Sequence, residues 1–142
     1  MKDRIRGYVE AMESHNLSDS ISVIEIGMKN SKNEISKAYL SMFVENRNID
    51  AVIFSTNLLS IEGLYCLTEN KIRIPEDMGI IGFDGGDCFN LFYSPITYIK
   101  QPIEEMANEA VKTLMDYFDN VESPKISHII LESKLIVRSS CR

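Results

Sequence analysis

No stretch of this 142-residue chain approaches the ~20 consecutive apolar residues that a helix needs to cross a bilayer. No basic-then-apolar leader opens it either, so the expectation is a cytoplasmic protein. Cysteine is scarce. Cys66, Cys88 and Cys141 form an odd set without metal-ligand spacing, which favours reduced thiols over a disulfide framework or a zinc site. Positive charge is also short, with 15 basic residues against 21 acidic ones and a net charge of −6. A surface that grips phosphates carries a basic face, so this segment is not expected to bind DNA by itself.

Catalytic constellations are missing too. Neither His15 nor His128 accompanies a Ser or Cys in a nucleophile motif. The run Gly82-Phe83-Asp84-Gly85-Gly86 has neither phosphate-loop nor dinucleotide-fingerprint spacing. A receiver domain would need an acidic pair after its first strand, and Gly27-Met28-Lys29 does not supply one. No enzyme activity, cofactor or metal is expected.

What is present is alternation. Ile5, Tyr8, Val9 and Met12 recur at helical spacing, and Ile21 to Ile26 read as a buried strand. Ser31 and Glu34 form a capping-box signature ahead of a helix with the stripe Ile35, Ala38, Tyr39, Met42 and Phe43. Ala51 to Phe54 predict a second strand, and a helix through about Asn70 follows it. Met78 to Phe83 predict a third strand, and Ile96 to Ile99 a fourth. Gln101-Pro102 starts a long helix whose stripe runs from Ile103 through Met106, Val111 and Leu114 to Phe118, and Ser127 to Arg138 close the chain as a strand-like stretch. Helices alternating with short, continuously apolar strands predict an α/β fold built on a doubly wound parallel sheet.

In such sheets ligands bind beyond the carboxyl ends of the strands. Residues there include Lys29 after the first strand, Asn57 after the second, Asp84 after the third, and Lys100 and Gln101 after the fourth. Together they suit a polyol, sugar, nucleobase or amino acid. Asn57 and Asp84 also fit as helix N-caps, each worth ~1 kcal/mol, but four polar strand ends on one edge favour a site.

From Ile74 onward the chain resembles the lactose-repressor (LacI/GalR) family of transcription regulators. The resemblance rests on Ile74-Pro75-Glu76-Asp77-Met78-Gly79-Ile80-Ile81-Gly82-Phe83-Asp84, on Ser94-Pro95-Ile96-Thr97 through Gln101-Pro102, and on Leu135-Ile136-Val137-Arg138-Ser139-Ser140. Arg4-Ile5-Arg6-Gly7-Tyr8 and Ile53 to Asn57 extend it to the front of the chain. It implies a periplasmic-binding-protein-like partial domain that senses a small effector. The family's effector contacts would fall on Arg4, Asn57, Asp84 and Gln101. Lys29 stands where members often place a stacking aromatic, which allows an acidic effector such as a phosphosugar or carboxylate. Leu58 and Gly85 replace acidic residues of the family pattern. A solute-binding protein of an uptake system is the alternative reading.

The resemblance further implies that residues 1–101 form the C-terminal effector-binding subdomain, and that residues 102–142 supply a crossover helix and strand packing on an N-terminal subdomain. DNA would be reached only through a helix-turn-helix that this chain does not carry. Burying the stripe of the crossover helix is worth on the order of 10 kcal/mol, so the helix is expected to fold back on the sheet or to pair with a second copy. A homodimer through the helix near Ile61 to Tyr65 and the segment around Phe89 to Phe92 is the competing expectation.

Overall fold

Four short segments of β-branched and aromatic residues assemble into one sheet, in the order β1 (Ala51–Ile53), β2 (Gly79–Phe83), β3 (Thr97–Lys100) and β4 (Lys134–Ile136). The computed structural model describes residues 2–27, 32–45, 49–119 and 128–141. The first three strands run parallel, with Ile53 opposite Ile81 and Phe83 opposite Ile99. Their carboxyl ends therefore share one edge. β4 returns antiparallel on β3, with Tyr98 opposite Ile136.

The helices are α1 (Lys2–Ser14), α2 (Lys32–Leu40), α3 (Asn57–Glu69), α4 (Asp87–Leu91) and α5 (Ile103–Asp119). α2 runs on into a π-helical turn over Ser41–Glu45. The predicted α2 stripe delivers its aromatics to the core. Tyr39 and Phe43 stack with centroids 5.3 Å apart, and Phe54 meets both edge-on. Leu64, Leu67, Ile74, Ile80 and Phe89 complete this buried cluster, each large side chain contributing ~1.5–3 kcal/mol. Gly63 admits the Phe54 ring, because a methyl there would lie 2.5 Å from its Cε1.

The C-terminal segment is pinned by one buried serine. Ser140 Oγ donates to Ile80 O (2.6 Å) and accepts from Thr97 N (2.7 Å), and Ile80 N donates to Ser140 O (2.7 Å). β4 and the residues that follow it to Ser140 are thus tied to β2 and β3.

Two further expectations change. Ile21 to Ile26 form no strand: β1 pairs only with β2, and Ile24 is 50% exposed. An apolar run of this length fits a buried strand, but without ladder partners its backbone has no sheet to join. Ile26 alone of this run packs against the core. α5 does not fold back into the body. It contains no buried residue, and Val111 and Phe118 are 61% and 62% exposed. The capping box at Ser31 and Glu34 falls on residues whose side chains lie outside those described.

Candidate functional site

The shared carboxyl edge of β1, β2 and β3 is built from backbone geometry first. Beyond β2 the chain enters left-handed backbone at Asp84 (φ 73°) and Gly85 (φ 69°). Short polar residues such as Asp tolerate this region, and glycine does so at no steric cost. The turn is tied to the next strand by Asp84 N donating to Ile99 O (2.9 Å). The Asp84 carboxylate stands at the strand end, where Gln101 Nε2 donates to its Oδ1. Asp84 and Gln101 are therefore direct partners.

Arg4 reaches the same edge from α1. Its guanidinium lies over the Phe83 ring, 3.5 Å from the centroid, and donates to Ser55 O. A planar, weakly hydrated guanidinium stacks well on an aromatic face, and its five donors exceed what one carbonyl consumes. Arg4 thus joins the end of β2 to the loop after β1. Phe83 and Ser55, its platform and anchor, were not among the expected site residues. Phe83 lies within the Gly-Phe-Asp run, but only the fold shows that its ring carries a cation.

Asn57 opens α3. The cap of that helix is Thr56, whose side chain accepts from Leu59 N (3.3 Å), so Asn57 is not the cap. Nor does Asp84 cap α4, which begins after Gly86. Asn57 Oδ1 is buried and has no hydrogen-bond partner among the described residues. Leaving such an acceptor unmet costs about 1–3 kcal/mol, so Asn57 is a strand-end polar group that the described part of the fold leaves unsatisfied. Lys29, expected on this edge, lies outside the described residues.

The edge therefore offers donors from Arg4 and a carboxylate at Asp84, with the Asn57 amide oxygen enclosed at the start of α3. Such a set can bind and orient a polar molecule, and it contains no activated nucleophile. A separate depression of about 310 Å³ lies at the opposite edge, between Asp50, Glu76, Asp77 and Cys141. It is acidic, and Asp77 is already held there by Arg73 through Nε (2.9 Å) and the backbone N–H (3.0 Å). The strand-end site and this depression are unrelated.

Parallel strands that deliver hydrogen-bonding side chains to one edge define an open-sheet binding architecture. The chain belongs to the periplasmic binding protein-like domain family, whose sequence model matches residues 1–141. Among its relatives, the helix-turn-helix-type transcriptional regulator MalR of Clostridium butyricum is 27% identical over 97% of this chain and 40% of its own length. The regulator DegA of Bacillus subtilis is 29% identical over 98% of this chain and 40% of its own length. The solved periplasmic binding protein/LacI transcriptional regulator from Alkaliphilus metalliredigens, complexed with D-xylulofuranose, shares 25% identity and superposes with a TM-score of 0.78. It is covered over 50% of its length by 96% of this chain. The chain spans about 40% of the length of these curated relatives, which are helix-turn-helix-type transcriptional regulators, and the solved relative carries the LacI name expected from the motifs. No helix among the described residues is long and apolar enough to cross a membrane.

Proposed function

We propose that this domain is the effector-sensing part of a cytoplasmic LacI/GalR-type transcription regulator, and that it does no chemistry of its own. The observation that carries the reading is the strand-end edge itself. Arg4 on Phe83, Asp84 with Gln101, and Asn57 Oδ1, which has no partner among the described residues, lie at the strand ends where open sheets hold ligands. Residues 1–101 would form one wall of the pocket, and α5 would face the other subdomain. Closure around the effector would shift a hinge equilibrium and so change operator affinity at a helix-turn-helix elsewhere in the protein. The parent would act as a homodimer.

The ligand would accept from Arg4 and, once the side chain turns outward, donate to Asn57 Oδ1, which a sugar hydroxyl does. Lys29 after the first apolar run extends the class to phosphosugars and sugar acids. The test is thermal unfolding of the chain against a panel of neutral sugars, phosphosugars and sugar acids. A binder present at 100 times its Kd stabilises by ~2.7 kcal/mol. Arg4→Ala and Asp84→Asn, which keeps a residue that tolerates left-handed backbone, should lose or sharply weaken that shift while keeping their own melting temperatures near wild type. A shift that survives both substitutions overturns the site, and a panel without any shift overturns the reading that this wall binds the effector on its own. Binding by neutral sugars alone would remove the part assigned to Lys29.

A further inference from the structure

Besides its own hydrogen bonds, the turn at Asp84 and Gly85 packs against a side chain of β3. Gly82 pairs with Tyr98 across β2 and β3, so both side-chain positions share one face of the sheet. The Tyr98 ring leans over the turn that follows. A methyl group at Gly85 would lie 2.7 Å from Tyr98 Cδ2 and closer still to Cε2. Ring and glycine are therefore in direct contact, and the ring occupies the volume that any larger residue would need. Gly85 at φ 69° and Asp84 at φ 73° are the two left-handed residues of this turn.

The ring is itself fixed from two sides. Phe89, fully buried on α4, meets it edge-on at 5.8 Å. Arg138 lies over it with its guanidinium carbon 5.1 Å from the centroid, and Arg138 donates to Asn90 Oδ1 on the same helix. A ring held in this way can hold the turn beneath it.

We infer that Tyr98 is the positioning residue for Asp84: its ring clamps Gly85 in left-handed backbone and so presents the Asp84 carboxylate to Gln101 and to the ligand. This rests on the reading of Asp84 as a ligand contact, but the clamp is tested without ligand. In the wild-type chain, proton NMR should show a nuclear Overhauser contact between the Gly85 α-protons and the Tyr98 ring, with a ring-current shift of those protons. Absence of that contact overturns the clamp.

Amide hydrogen exchange then separates positioning from general stability. Asp84 N–H donates to Ile99 O, and Phe54 N–H donates to Ile81 O in the neighbouring strand pair. Tyr98→Phe should keep the Gly85 shift and the protection of both amides. Tyr98→Leu should lose the shift and the Asp84 protection while Phe54 stays protected. Equal loss at both amides, or no loss at either, overturns the inference. Should Tyr98→Leu fail to fold, Tyr98→Met, which also removes the ring, should give the same local loss. If the clamp is present but no member of the sugar panel binds, the assignment of Asp84 as a ligand contact fails and the clamp stands.

Discussion

At the scale of single residues, Ser140 and Asn57 illustrate opposite uses of a buried polar group. Ser140 satisfies Ile80 O and Thr97 N at once, so Ser140→Ala leaves two buried backbone groups unmet. The expected loss is about 3 kcal/mol, seen in urea unfolding as a lower midpoint with an unchanged slope. Asn57 Oδ1 has no such partner among the described residues. Replacing the amide by an apolar group of similar shape removes an unmet acceptor, and such exchanges are close to neutral or stabilising. Asn57→Leu should therefore leave the melting temperature unchanged or raised and abolish ligand-induced stabilisation. A large drop in melting temperature would show that Asn57 serves the fold.

At the scale of elements, helix ends and turns set where the side chains point. Thr56 caps α3, so Thr56→Ala should cost ~1 kcal/mol and loosen the turn that carries Asn57, measurable as a lower unfolding midpoint. The turn before β2 depends on Arg73 and Asp77. Hydrogen bonds from the Arg73 side chain and backbone hold the Asp77 carboxyl at about 2, below its ordinary 3.8. A depressed carboxylate contributes stability that is fully present above the ordinary value and is lost as pH falls from about 4 through 2. The pair is exposed, so its contribution is small and screened by salt. Asp77→Asn should flatten this part of the acid-unfolding curve, and the flattening should vanish at high salt. The elements themselves were largely readable: the apolar runs at 51–54, 78–83 and 96–99 each became a strand within a residue or two. The run at 21–26 was not, because periodicity reports burial and not whether a neighbouring strand exists.

At the scale of the whole molecule, α5 is the unfinished part. Its stripe from Ile103 to Phe118 stays exposed, whereas a single domain has only ~5–15 kcal/mol of net stability to set against such a face. The chain taken alone should self-associate through it in light scattering. The double variant Leu114→Lys, Phe118→Lys should abolish that association and, at a protein concentration too low for wild type to associate, match its melting temperature, because neither side chain is buried in the fold. A lowered melting temperature would show that α5 packs on the body of the same chain.

The amino-acid sequence by itself determined the class of fold, the polar strand ends at Asn57, Asp84 and Gln101, and the family motifs, because each depends on residues close together in the chain. Only the tertiary structure decided that Gln101 bonds Asp84, that Arg4 rests on Phe83 and Ser55, that Tyr98 covers Gly85, and that Ser140 joins β2 to β3. Those contacts link positions from 13 to 79 residues apart on separate elements. No periodicity or local spacing encodes them, and they exist only once the strands are in register.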